Sequence, residues 1–237
     1  FLSAGLLGYY DDYLVTIAGL SVISDMMELK GYNRDVVRLA VDNLKKHQYK
    51  PLISLEVSPI ITEKTLGLEI SPKINAIGRL IDDKNINLLV KFLTSENDDE
   101  IYKISSWIKN NNEYRKTLTK EAVEALPVDE INGAGIVLNL DIKEGLLGLI
   151  ANRLLGEKNV PVIIFTEDSN DKTFLKGSIR SKDGFNVTKA LQSLEKYVVA
   201  GGGHALAGGI TIKASDFENF KHDFIELCKE YKITKKE

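Results

Sequence analysis

The chain has a single cysteine, Cys228. One thiol excludes an internal disulfide and a cysteine-based zinc site, and it fits a reducing, cytoplasmic compartment. No apolar run approaches the roughly 18–20 residues that a membrane span needs. The apolar opening, Phe1 to Gly8, has neither the basic flank nor the small-residue end of a signal peptide. A basic excess is missing too: 31 Lys and Arg stand against 34 Asp and Glu, a net charge of −3. Nucleic-acid modules often carry net positive charge, so any such surface here must be a local basic groove on an acidic body. There is no internal repeat and no low-complexity tract. Nor is there an initiating methionine. The first Met is Met26, so the sequence reads as a fragment whose opening residues have partners upstream.

What is present is ordinary globular material. The 237 residues, 43% hydrophobic and 27% charged, suffice for one large or two small domains. Val15–Ile23 is rich in β-branched residues and reads as a strand ending at Ser24-Asp25, and Asn33–Lys46 has helical spacing. Pro51, Pro59 and Pro72 restrict 51–97 to short elements, with a helix at Asn87–Leu93. Ile101, Ile104 and Ile108 open a long helix, Asp98–Leu126, which turns polar beyond Asn110 and ends at Pro127.

From 133 onward strands and helices alternate: strands at 135–140, 162–166, 174–181 and 210–212, and a helix at 146–155. Asn186 caps a helix running to Tyr197. Ser215-Asp216-Phe217-Glu218 reads as a capping box for a last helix that buries Phe217, Phe220, Phe224 and Cys228. The charged last residues read as a frayed tail. The fold class is α/β, with a mixed sheet in a compact C-terminal domain.

Four segments could carry chemistry. Gly201-Gly202-Gly203-His204 offers closely approachable amides, an anion nest, beside an imidazole; the alternative is a tight helix-to-strand turn. Lys176, Ser178 and Arg180 fall on one strand face by the two-residue period, so two cations and a hydroxyl suit a phosphodiester backbone, or simply face water. Ser71 to Leu80 is a loop-like run holding Lys73, Asn75 and Arg79. Asp25, at the end of an apolar stretch, is either a metal-ligating carboxylate at a strand end or a helix cap.

Together, and in this order, these segments resemble the RecJ-like single-strand-specific exonucleases of the DHH phosphoesterase superfamily. The matching runs are Ser21-Val22-Ile23-Ser24-Asp25, Tyr32-Asn33-Arg34, Pro72 to Arg79 (PKINAIGR), Asn112 with Arg115, Gly145 to Leu154, Gly177 to Ser181, and Gly202-Gly203-His204 with Ala207-Gly208-Gly209. The last marks a DHHA1 domain, and PKINAIGR and GSIRS point to RecJ. Departures are Lys73 for Arg, Ser21 for Gly, Gly208 for Ala, and Ile142-Lys143 where the family has an aromatic-His step. The paired-Asp and Asp-His-His motifs of the family do not occur in the chain.

The resemblance implies a C-terminal remnant of a catalytic domain at 1–50, a connecting region at 51–127 with a spacer helix, and a DHHA1-type nucleic-acid-binding domain at 128–237. It implies a metal-dependent 5′-to-3′ exonuclease of DNA repair and recombination, using Mn2+ or Mg2+ in the full-length enzyme, with none bound by this fragment, which is inactive alone. Asp25 would be a metal ligand and His204 a catalytic residue. Lys73, Asn75, Arg79, Lys176, Ser178, Arg180, Gly202, Gly203 and His204 would hold substrate. Expected partners are single-stranded DNA and, by resemblance, a single-strand-binding protein or helicase, with no membrane. The competing readings are a phosphodiesterase for oligonucleotides or cyclic dinucleotides and a non-catalytic replication component.

Overall fold

The structure is a computed structural model that describes residues 10–80, 86–126 and 132–230. The apolar opening, Pro127 and the residues after 230 lie outside them. The chain divides into two compact units, Phe1–Arg115 and Lys116–Glu237.

The first unit is helical in its described residues. Helix α1 (Asp12–Ser24) replaces the strand expected at Val15–Ile23. Asp11 caps it, accepting from the Leu14 N–H at 2.9 Å. β-propensity is a weak, context-dependent preference, and tertiary packing overrides it here. Val15, Thr16, Gly19 and Leu20 make one buried stripe. That stripe faces α2 (Tyr32–His47) so closely that a Cβ on Gly19 would lie 2.4 Å from that of Ala40. The buried Asn43 donates to the Asp12 carbonyl at 3.0 Å, fixing the pair lengthwise.

After α3 (Lys50–Ile53), a π-helical turn (Thr65–Ile70) leads without a break into α4 (Ser71–Leu80). The run expected to be loop-like is therefore a helix. Pro72 lacks a donor and its ring crowds the carbonyl four residues back; the widened turn just before it, where Ser71 N–H reaches Leu66 O, accommodates both. Ala76, Ile77 and Leu80 then anchor α4 to the core. Helices α5 (Ile86–Thr94) and α6 (Asp98–Glu124) complete the unit, and the division between units falls within α6. Leu44, Leu52, Leu66, Ile70, Phe92 and Ile108 are fully buried at the centre of this core.

The second unit is a five-stranded mixed sheet in its described residues, ordered β1-β2-β3-β5-β4. The strands are β1 (Ile136–Asn139), β2 (Val162–Glu167), β3 (Phe174–Arg180), β4 (Val198–Gly203) and β5 (Ala207–Lys213). Only β1 and β2 run parallel, joined through a 3-10 turn (Glu144–Leu146) and α7 (Leu147–Lys158). The remaining helices are α8 (Val187–Ser193) and α9 (Phe217–Glu230). Leu175 and Ile179 on β3 bury into a cluster with Phe185, Phe220, Phe224 and Cys228. Burial pushes the Cys228 thiol up to about 12, which leaves it inert.

Two end details differ from expectation. Asn186 does cap α8, accepting from Lys189 N–H at 3.0 Å, but the helix stops at Ser193 and a 3-10 turn carries the chain to Tyr197. Ser215 lies within a 3-10 turn (Ala214–Asp216), its hydroxyl directed at Asp216, so it forms no capping box.

Candidate nucleic-acid interface

In the second unit the strand register decides which candidates meet. β3 alternates half-exposed and buried residues from Phe174 to Arg180, so Lys176, Ser178 and Arg180 share one face. Across the pairing, Ser178 lies opposite Gly209 of β5, and Gly209 opposite Gly202 of β4. Lys176 aligns with Thr211 and Ala200 in the same way, and Arg180 with Ala207. One step past the last β4–β5 pair, His204 N–H donates to Ala207 O at 2.8 Å. Alternation therefore puts His204 in the Arg180 row, two strand spacings or about 10 Å away. A Cβ on Gly202 would meet nothing within 4 Å, so this glycine lies under open space.

The glycine run is not the helix-to-strand turn or the nest that its composition suggests. It is an edge strand. Successive N–H groups of a strand point to opposite sides, so they cannot converge on one anion as a nest does. The His204–Ala207 bond sets the alternation: the Gly202 N–H faces β5 and the Gly203 N–H faces the free edge. Gly203 has a packing reason as well, since a Cβ there would come within 2.3 Å of Ala207 O and 2.5 Å of Gly208 Cα. The hairpin tip that carries His204 is tied down by two backbone bonds, Val187 N–H to Ala205 O and Ser181 N–H to Leu206 O, both 2.9 Å.

The two cations of β3 have different surroundings. Lys176 lies between Glu144 at 3.3 Å and Asp168 at 3.4 Å. The Glu144 carboxylate, with Asp168 beside it, holds its ammonium above the ordinary value. Lys176 thus pins the start of the α7 segment to the sheet, a task shared with Thr166, whose hydroxyl donates to Ile142 O at 2.8 Å. The Arg180 guanidinium folds back along β3, donating through Nη1 to Ser178 Oγ at 2.8 Å and to Ile179 O at 2.7 Å.

In the first unit the candidates hold one another and the backbone. Asp25 is exposed and follows the last turn of α1, where it is the C-cap, not the end of a strand. Met26 N–H bonds Ile23 O and Met27 N–H bonds Val22 O, both at 3.0 Å, which is the Schellman closure with Met26 at a φ of 53° where glycine is usual. A carboxylate at the negative end of a helix dipole, with no basic residue in that last turn, gains nothing as a cap and favours a nearby cation. Asn75 donates to Ser24 Oγ at 3.0 Å, bracing the residue before Asp25. Lys73 donates to the carbonyls of Leu55 and Glu56, the latter at 3.1 Å.

Burial lowers the Arg79 guanidinium from its ordinary value. It does the same to Arg115, where the Arg79 charge adds to the effect. Arg115 grips Asn112 Oδ1 through Nε at 3.2 Å and Nη2 at 3.1 Å. The three-residue helical step between them is the legible signal for this pair. The carboxylate partners of Lys176 carry no comparable signal. Among the described residues, no three His, Cys, Asp or Glu side chains gather as a metal set. No described helix is long and apolar enough to cross a membrane.

The DHHA1 domain family matches residues 132–230. The single-stranded-DNA-specific exonuclease RecJ of Bacillus subtilis is 30% identical across 96% of this chain, and that of Escherichia coli 28% across 92%. The chain spans only 30% and 40% of the length of those two proteins. Two solved structures of Thermus thermophilus RecJ, with Mg2+ and with Mn2+, superpose on 97% of the chain, each with a TM-score of 0.84 at 22% identity. They share its fold, and the chain covers 36% and 35% of them.

Proposed function

We propose that this chain, RecJ-like along its length and carrying a DHHA1 domain at 132–230, is the substrate-holding C-terminal part of a single-strand-specific DNA exonuclease. The observation that carries the reading is the shared sheet face of Ser178, Arg180, Gly202 and His204. Arg180 and Ser178 offer donors suited to phosphate oxygens, and such backbone contacts carry no base code. The open surface over Gly202 and Gly209 lets a strand approach the backbone of the sheet closely. His204, at a hairpin tip held by two backbone bonds, would donate to a phosphate near the scissile bond. This arrangement gives an acidic chain its local basic surface.

The first unit would supply Asp25 to a divalent ion, Mn2+ or Mg2+. An exposed carboxylate at a helix C-terminus is a hard oxygen donor and fits such an ion as one ligand. When bound, the ion would activate water for attack on the phosphodiester. Arg79 and Arg115 would add positive charge suited to phosphate. Lys73, Asn75 and Lys176 act through position: they fix backbone carbonyls, the end of α1 and the start of the α7 segment. In this reading 1–50 belongs to a catalytic domain, 51–127 connects, and 128–237 binds DNA. The 237-residue chain alone is inactive, and the protein works in the cytoplasm in DNA repair and recombination, alongside a single-strand-binding protein or helicase.

The test is a manganese-dependent assay on 5′-labelled single-stranded and duplex DNA, using the longer protein that carries this chain and its Asp25→Ala and His204→Ala variants. We expect digestion of single strands only, reduced at least a hundredfold in both variants. Full activity in either folded variant would refute the role assigned to that residue.

A further inference from the structure

We infer that Gly148 is a positioning residue for Arg180: its missing side chain is the space that lets the guanidinium lie over Ser178. This rests on the reading of the β3 face as a DNA contact. Gly148 stands in the first turn of α7, where the backbone is ordinary right-handed helix. Among the described glycines, positive φ occurs at Gly31, Gly184 and Gly203, not here. Any residue could adopt this conformation, and glycine is the poorest helix former after proline. Nothing local explains its presence.

The surroundings do. A Cβ at 148 would lie 2.5 Å from Arg180 Nη2, 3.3 Å from Arg180 Cζ and 3.2 Å from Ser178 Oγ. The helical glycines Gly78 and Gly156, by contrast, have nothing within 4 Å, and Gly19 is tight against a partner helix rather than a polar side chain. The close approach is built in. The start of the helical segment is fixed to the sheet by the Glu144–Lys176 pair and by Thr166 on Ile142 O. What an added methyl meets first is the far end of a flexible side chain, not backbone. The helix therefore stays and the guanidinium moves, breaking the 2.8 Å bond from Arg180 Nη1 to Ser178 Oγ.

The experiment compares the chain with Gly148→Ala, Arg180→Ala and the double variant. It reads thermal melting, the arginine side-chain NMR signals and binding of a fluorescent oligo-dT. Expected for Gly148→Ala is a melting temperature equal to or above that of the parent, because alanine favours the helix. The Arg180 side-chain signals should shift, and oligo-dT affinity should fall about tenfold, as in Arg180→Ala. The double variant should bind no more weakly than Arg180→Ala alone. Additive losses, parental affinity beside a weakened Arg180→Ala, unmoved Arg180 signals, or a melting temperature lowered by several degrees would each overturn the inference. Parental affinity in Arg180→Ala itself would instead sink the DNA reading, and the arginine signals would still decide whether Gly148 positions the side chain.

Discussion

The two units use their polar residues differently. In the sheet unit, Ser178, Arg180, Gly202 and His204 are aligned by strand register, with open space over Gly202 and the start of α7 lying against Ser178 and Arg180. In the helical unit, Lys73 and Asn75 are occupied with carbonyls and a hydroxyl of their own unit, while Asp25 stands at a helix end that gives it no stabilising work. The contrast teaches that strand register can align side chains from separate strands on one face. In the helical unit Lys73 and Asn75 are each held by their own separate partners.

The largest effect should come from the core that supports the sheet. Phe224 is fully buried and packs edge-on against Phe185, with ring centroids 5.7 Å apart. Phe224→Ala should cost about 3–5 kcal/mol in chemical denaturation. A loss below about 1 kcal/mol would mean the sheet does not depend on that cluster.

Next comes a pair of adjacent glycines. Gly203→Ala drives a methyl into backbone and should cost about 1–3 kcal/mol, whereas Gly202→Ala should stay within about 0.5 kcal/mol of the parent yet weaken oligo-dT binding. Equal stability costs at the two positions would erase the distinction between a packing glycine and an open one.

In the helical unit the expected change has the opposite sign. Met26→Gly should stabilise by about 0.5–1 kcal/mol, because Met26 holds a φ of 53° at 90% exposure. Destabilisation there would show that the methionine has contacts worth more than its backbone strain.

The smallest effect is a pH dependence in the sheet unit. Asp223 accepts from Lys196 Nζ at 2.9 Å, from Tyr197 OH at 2.8 Å and from His222 at 3.2 Å, and these donors hold its carboxyl well below the ordinary range. A depressed folded-state value means the unfolded chain takes up the proton first. The stabilisation is complete above the ordinary carboxylate value near 4 and fades as pH falls from there toward the folded value. Asp223→Asn should flatten the melting temperature of the sheet unit across that acid window and leave its slope near neutrality unchanged. A parental acid slope in this variant would assign the effect to other carboxylates.

How much of this the sequence disclosed follows the same division. Period-two alternation from Phe174 to Arg180 is a local signal, and it identified both the strand and the face of Lys176, Ser178 and Arg180. The helical stripe Phe217, Phe220, Phe224 and Cys228 was equally plain. Val15–Ile23 misled because β-branched residues also fill a helix stripe when Gly19 admits a partner helix, and that partner is not visible in the local pattern. The run from Ser71 to Leu80 misled because Pro72, Asn75 and Gly78 read as breakers, while the π-helical turn that accommodates the proline leaves no compositional trace. Gly201 to Gly203 read as an anion nest or a tight turn because glycine marks close backbone approach wherever it occurs. Only the pairing with β5 shows that the approach is strand to strand. The motif order still identified the chain as RecJ-like, since order along the sequence survives when local conformation is misread.

The most direct test of the central claim is the salt dependence of single-stranded oligo-dT binding by the 237-residue chain and its Arg180→Ala variant. The account predicts that binding weakens linearly in the logarithm of salt concentration. The slope should be shallower in the variant by about 0.7, one phosphate contact on a single strand. An unchanged slope in a folded Arg180→Ala variant would contradict the assignment of the β3 face to the DNA backbone.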